Sequence, residues 1–262
     1  MRERPLVGFL PAAGQGTRFG SALYAKELYP LIGPDGDGPR PLAERFLHAL
    51  RGAAVDRVVV VIGPHKLDVV RALGDGGEGP LPLAYVVQSE PRGLAHALRV
   101  ARPWLDGADV LLAMPDTVVE PMTALRELQA CRIESGAELG LAVFPTTEAA
   151  RLGPVVYEGV GPVCKVLAVE DKPARPSAQN TWGLASLSPR CVEFICAWDE
   201  EREAAGVTGA SKERAIGHAF EAARAAGLAT VARPFPDGRF LDIGTPEGLR
   251  AALRLSLDPP AG

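Results

Sequence analysis

An α/β fold, built on a doubly wound, mostly parallel sheet with a small antiparallel part, is expected for this chain of 262 residues on three grounds. Apolar runs of strand length recur at regular intervals over roughly the first 145 residues. Amphipathic helical patterns separate those runs. Past residue 150 the runs shorten and are joined by turns. Strands alternating with helices favour parallel pairing, and turn-linked strands favour antiparallel pairing.

The elements follow in order. LVGFL (6–10), RVVVVI (57–62), LAYVV (83–87), ADVLLAM (108–114) and ELGLAVF (138–144) hardly alternate in polarity. That suits strands covered on both faces. Between them, PLAERFLHALRG puts Leu42, Phe46, Leu47 and Leu50 on one stripe, and KLDVVRALG does the same with Leu67, Val70 and Leu73. GLAHALRVARPWL and EPMTALRELQACRIESG continue the helical pattern. GPVVYE, PVCKVLAVE and TWGLASLS read as shorter, antiparallel strands. Helices are expected around 190–205 and 211–227, and strand pieces in ATVARPF and FLDIG. TPEGLRAALRLSL closes with a helix capped by Thr245, with Pro246 at the first position, where its missing N–H is no loss. GPDGDGPRP (33–41) and GDGGEGPLP (74–82) read as surface loops, and the tail DPPAG is expected to fray. No repeat or linker divides the chain, so residues 1–258 are expected to form one domain.

Composition sets further bounds. Apolar residues at 47% and charged residues at 23% are ordinary for a soluble protein. The 29 glycines and 24 prolines imply many tight loops, not disorder. A net charge of −4 leaves no large basic field for a nucleic-acid backbone or an anionic membrane. An anionic small ligand therefore needs a local basic cluster. Cys131, Cys164, Cys191 and Cys196 form no C-x-x-C pair and have no histidine at zinc-ligand spacing. Reduced, buried thiols in a cytoplasmic setting are expected. No apolar run approaches the roughly 18 residues of a membrane span. The opening MRERPLVGFLPAAG is too broken by proline and glycine for a signal peptide.

PAAGQGTRFG (11–20) places a glycine-rich turn after the first strand. Glycines let backbone amides converge on an anion. The stretch is not G-x-x-x-x-G-K-[ST], and its third glycine comes one position late for G-x-G-x-x-G. Thr17 and Arg18 in the turn, with Lys26 beyond it, point to a triphosphate held directly. A plain strand-to-helix turn with solvated charges is the competing reading.

AAGQGTRF followed by AKELYPL resembles the signature of sugar-1-phosphate nucleotidyltransferases. VVQSEPRGLAHAL (86–98) resembles that family's nucleobase segment, and DVLLAMPDTVVEP (109–121) the strand end that presents its first metal aspartate. VEDKP (169–173) resembles its sugar-phosphate motif, and FLDIGTPEGL (240–249) its second metal aspartate and closing helix. Each motif is weak alone. The five stand in the family's order over about residues 6 to 250.

The resemblance implies a Rossmann-like fold, with a nucleotide-binding part over about 1–145 and an antiparallel sugar-phosphate-binding part over about 146–258. It implies transfer of a nucleotidyl group from an NTP, with dTTP or UTP favoured, to a sugar 1-phosphate, with glucose 1-phosphate as the default. It also implies Mg2+ as cofactor and a homo-oligomer. Ala13, Gly14, Gly16, Thr17, Gln88 and Gly93 would bind the nucleotide, and Arg18 and Lys26 would act on the triphosphate. Asp116 and Asp242 would hold the metal, and Asp171, Lys172 and Gly183 the sugar phosphate. Asp171 stands where relatives usually carry glutamate, whose longer side chain reaches further; Glu170 should point to the opposite face of its strand. Trp182 reads as a packing residue, and His96 as a surface or packing residue.

The implied chemistry explains an absence. A phosphate monoester has a second pKa of about 6 and is largely ionised at neutral pH. It attacks without a general base, and no G-x-S-x-G elbow is present. The need is relief of anion repulsion and in-line alignment. Two alternatives stay open: a non-catalytic nucleotide-sugar-binding regulator, and a cytidylyl- or guanylyltransferase acting on another phosphorylated alcohol.

Overall fold

The computed structural model describes residues 4–14, 25–32, 38–76, 81–207 and 215–257. Its strands are β1 (Leu6–Ala12), β2 (Pro30–Ile32), β3 (Pro39–Pro41), β4 (Arg57–Ile62), β5 (Leu83–Val87), β6 (Asp109–Ala113), β7 (Thr117–Glu120), β8 (Leu139–Pro145), β9 (Val155–Glu158), β10 (Cys164–Val169), β11 (Asn180–Leu187), β12 (Thr230–Pro234) and β13 (Arg239–Asp242). Its helices are α1 (Leu42–Gly52), α2 (Leu67–Leu73), α3 (Leu94–Leu105), α4 (Ala124–Glu134), α5 (Pro189–Ala204), α6 (Ile216–Ala225) and α7 (Pro246–Leu257).

Nine strands form one mixed sheet in the order β5-β4-β1-β6-β11-β8-β12-β10-β9. β5, β4, β1 and β6 are mutually parallel, as are β8 and β12. β11 runs against both of its neighbours, and so does β10. The lack of polar alternation in the strand sequences has the expected cause. Val7 and Phe9 of β1 enter one apolar core with α3, α5 and α6, while Leu6 and Leu10 enter another with α1, α2 and α4. Helices thus cover both faces of the sheet, as a doubly wound fold requires.

Local signals hold at the helix ends. Thr245 Oγ1 accepts a hydrogen bond from Gly248 N at 3.0 Å, the cap expected for α7. Ser188 caps α5 in the same way from Cys191 N at 3.1 Å, with Pro189 next. The tail DPPAG lies outside the described residues. All four cysteines are buried and carry no disulfide. Burial pushes the Cys191 thiol up to about 12, so it is not a nucleophile near neutral pH. Among the described residues, no helix is long and apolar enough to cross a membrane.

Two features depart from the expected layout. TWGLASLS is antiparallel to its neighbours as expected, but it is most of the eight-residue β11 and inserts between β6 and β8 in the middle of the main sheet rather than in a separate small antiparallel part. It is buried at nearly every position, so one sheet holds residues from both halves of the chain. TVVE forms β7, which pairs with β13 in a separate two-stranded ribbon.

Candidate active site

Ala12, Ile62 and Val87 lie in register at the carboxyl ends of β1, β4 and β5. Ligands of open α/β sheets bind beyond this edge. Two adjoining cavities of about 350 and 370 Å³ lie here and share Gly93, Leu94, Met114 and Asp116 in their walls.

Asp116 follows the end of β6, and Asp242 ends β13. They are 126 positions apart in sequence, and the β7–β13 ribbon joins them. Asp242 pairs with Thr117, and Ile243 N donates to Asp116 O at 3.3 Å. Both carboxylates line the first cavity. Phe240 anchors the ribbon by stacking on Phe144 at 6.5 Å, and Phe144 stacks on Phe235 at 5.2 Å. A Cβ at Gly183 would lie 2.7 Å from Phe240 Cδ2, so the bare glycine admits that anchor. Gly183 itself is not among the residues that line the cavity, unlike its neighbours Thr181 and Trp182.

Gly248 is under a tighter constraint, since a Cβ there would fall 1.9 Å from the Asp242 carbonyl oxygen. Gly248→Ala is therefore expected to displace Asp242 and to destabilise the fold by about 1–3 kcal/mol. Chemical denaturation and turnover measured on the same preparation check this; an unchanged variant would show that α7 does not position the carboxylate.

Lys26 opens a short 3-10 turn, Lys26–Leu28, and its Nζ donates to Asp116 Oδ2 at 2.8 Å. Burial pulls its pKa down, but Asp116, Glu27 and Asp242 together outweigh this and hold the ammonium above its ordinary value. The next residue lies within AKELYPL, but that motif implies no role for it. Glu27 turns inward, 3% exposed, and accepts from Lys66 Nζ at 2.8 and 3.0 Å. Burial drives the Glu27 carboxyl up, and Lys66 offsets this only in part. This buried ion pair lies directly under the turn that carries Lys26.

The first cavity is also lined by Asp171 and Lys172, just past β10. Lys172 N donates to Leu152 O at 2.8 Å, and its φ of 45° lies in the left-handed region. The Asp171 carboxylate lies against the start of α6, 2.8 Å from where a Gly217 Cβ would be. Glu170 faces elsewhere, as strand alternation implies, and its carboxylate accepts from the Ser177 amide and hydroxyl. Trp182 walls the cavity, edge-on to Phe220 at 5.2 Å. Its Nε1 presses on Gly153, where a Cβ would be 2.2 Å away. Arg151, which no motif marks, also lines this cavity and pairs with Glu148 at 3.4 Å.

The second cavity is walled by Ala13, Gly14, Gln88, Pro91 and Gly93. Gly93 has φ 96° and precedes α3, a geometry that glycine adopts without strain. Gln88 is buried, and its Nε2 donates to Gly93 O at 3.1 Å and lies 2.7 Å from His96 Nδ1. Gly16, Thr17 and Arg18 lie outside the described residues.

Among the described residues, no group of three or more His, Cys, Asp or Glu side chains converges as a self-sufficient metal cage. Two hard carboxylate donors on one wall nonetheless suit Mg2+, which binds through one or two carboxylates and takes its other ligands from substrate phosphates and water.

A family model described as nucleotidyl transferase matches residues 8–258. Glucose-1-phosphate thymidylyltransferase of Streptomyces griseus is 30% identical over 191 residues, covering 71% of this chain and 50% of that protein. Bifunctional protein GlmU of Azorhizobium caulinodans is 31% identical over 239 residues, covering 88% and 49%. The chain thus spans about half the length of these curated relatives. A solved chain described as a glucose-1-phosphate thymidylyltransferase from Bacillus anthracis matches with a TM-score of 0.80 at 20% identity, covering 98% of this chain and 97% of that one. UTP-bound UGPase from Acinetobacter baumannii matches with a TM-score of 0.76 at 19% identity, covering 98% and 95%. At those identities the two structures establish the fold. With the family model spanning nearly all of the sequence, the chain belongs to the nucleotidyl transferase family, the sugar-1-phosphate nucleotidyltransferases whose motifs it carries in order.

Proposed function

We propose that the chain transfers a nucleotidyl group from an NTP to a sugar 1-phosphate and releases pyrophosphate. dTTP or UTP and glucose 1-phosphate are the favoured pair. The observation that supports this reading is the shared cavity: Asp116, Asp242 and Lys26 meet on one wall, and Lys172 stands on the same cavity. Residues 1–258 act as one catalytic unit, in the cytoplasm and as a homo-oligomer.

An ionised oxygen of the sugar phosphate attacks the α-phosphorus. The bond to the β-phosphate breaks, and its electron pair leaves with pyrophosphate. No proton transfer is needed, so the site's work is positioning and charge. Lys172 binds the acceptor phosphate, with Asp171 beside the sugar and Gly183 supporting that side by admitting the Phe240 anchor. Lys26 and Arg18 hold the triphosphate and stabilise the charge that grows on the leaving group. Gly14, Gly16 and Thr17 cradle the phosphates, while Ala13, Gln88 and Gly93 frame the base. Asp116 and Asp242 would hold Mg2+, which when bound neutralises phosphate charge at the reacting centre.

The test is pyrophosphate release by the purified chain with Mg2+, each NTP in turn and a panel of sugar 1-phosphates. Release is expected to be fastest with dTTP or UTP. Release with no pair, while nucleotide sugars still bind, would replace the enzyme with a non-catalytic regulator. A preference for CTP or GTP with another phosphorylated alcohol would move the substrate class.

A further inference from the structure

We propose that His96 sets the base selectivity of the nucleotide pocket by fixing which end of the Gln88 amide the base meets. This rests on the nucleotidyl-transfer reading above. A carbonyl oxygen only accepts, so the Gln88 atom 3.1 Å from Gly93 O is the amide nitrogen. That carbonyl is itself held in place, because it also accepts from Ala97 N at 3.1 Å in the first turn of α3. The same nitrogen lies 2.7 Å from His96 Nδ1. With the amide so oriented, this contact is a hydrogen bond only when Nδ1 is bare, which places the ring proton of neutral His96 on Nε2.

Both amide hydrogens are then spent inside the protein, one on Gly93 and one on His96. Gln88 is 3% exposed, so bulk water does not blur the arrangement. Oε1 is the polar atom of this side chain left for a ligand in the cavity that Gln88 lines. A base entering there meets a pure acceptor. Uracil and thymine answer it with the ring N3–H, and guanine could do so with N1–H. At that ring position cytosine and adenine present a lone pair, and they meet the oxygen only by shifting to bring their exocyclic amine to it. A buried acceptor left unmatched carries a desolvation penalty, which is how a polar pocket rejects the wrong partner. Gly93 and His96 can share this task because they lie three residues apart, one helical turn, and so face the same side.

His96 is a positioning residue in this scheme. The experiment compares kcat/KM for UTP, dTTP and CTP, with Mg2+ and the best sugar 1-phosphate, in the parent, His96→Phe and His96→Asn. It adds ring 15N spectra of the parent without ligand, with the His96 signals assigned by their loss in His96→Asn. The phenyl ring keeps the volume but offers no acceptor, while the asparagine carbonyl accepts from Gln88. The expected result is an unprotonated Nδ1 in the parent. Preference for UTP or dTTP over CTP should fall about tenfold in His96→Phe, through KM, and recover in His96→Asn. A proton on Nδ1, or full preference in a folded His96→Phe, would overturn the proposal. If His96→Phe does not fold, lost preference in His96→Asn together with a protonated Nδ1 overturns it. If the parent turns over no NTP, the nucleotidyl-transfer reading fails, and the 15N spectrum still decides the state of the ring.

Discussion

Asp116→Asn is expected to lower turnover by about 10²–10³-fold while the chain stays folded, the scale seen when one preorganised electrostatic group is removed from a reacting centre. Asp116 sits at a cavity wall rather than in the core, with 26% of its side chain exposed, and asparagine keeps its shape. The structural penalty is therefore small. The chemical penalty is large, because the substitution removes a metal donor and the 2.8 Å partner of Lys26 together. Lys26 is not stranded, since Asp242 and Glu27 still support its charge. The loss should fall mainly on kcat, because the carboxylate matters most when charge shifts to the leaving group. Pyrophosphate release, with a thermal melt on the same sample, checks both halves. A folded variant with full activity would remove Asp116 from the site.

Lys66→Met is the second large effect, and it falls on stability. Both partners of the Lys66–Glu27 pair are almost fully buried. Breaking such a pair from one side leaves an uncompensated charge and costs about 3–5 kcal/mol. The penalty depends on pH. Glu27 already binds its proton more tightly in the folded state than its ordinary value of 4.5, because burial disfavours the carboxylate. Removing Lys66 deletes the main influence opposing that rise. A carboxyl raised in this way contributes stability that is complete below its unfolded pKa and is lost as pH climbs through its folded pKa. The deficit of Lys66→Met should thus be largest near about pH 8 and shrink toward about pH 5, where Glu27 can stay neutral. Urea denaturation at the two pH values measures it, and equal deficits would refute the assignment. Replacing both partners with apolar residues of similar volume should recover most of the loss.

What could be read from the sequence divides along physical lines. Strands buried on both faces, helical stripes and caps are local patterns, so β1, β4 to β6, β8 and the helices were legible, although the stripe expected for α2 was misplaced: Leu67 is 55% exposed and Val69 is buried instead. Asp116, Asp242 and Lys26 were marked by their resemblance to motifs in a fixed order and not by residue type, and the fold brings the three to one cavity. Pairing across long stretches of chain was not. TWGLASLS carries no mark that says centre or edge, and its place between β6 and β8 is set by packing against strands far away in sequence. β7 was hidden because four residues are too few for a period, and only β13 completes it. Glu27 and Lys66 find each other across 39 positions; Glu27 lies within AKELYPL, but nothing there marks it for burial or points to Lys66 as its partner. His96 read as a surface or packing residue because the role proposed for it is defined by the amide beside it and not by its own neighbours in sequence.

The most direct measurement is a single-turnover assay with α-32P-labelled UTP or dTTP and glucose 1-phosphate, run with Mg2+ and with the metal chelated. Parent protein with Mg2+ should move the label into a nucleotide sugar, while chelated parent, Asp116→Asn and Asp242→Asn should not. Equal labelling in the chelated sample, or undiminished labelling in both variants, would contradict a metal-assisted transfer at these two carboxylates.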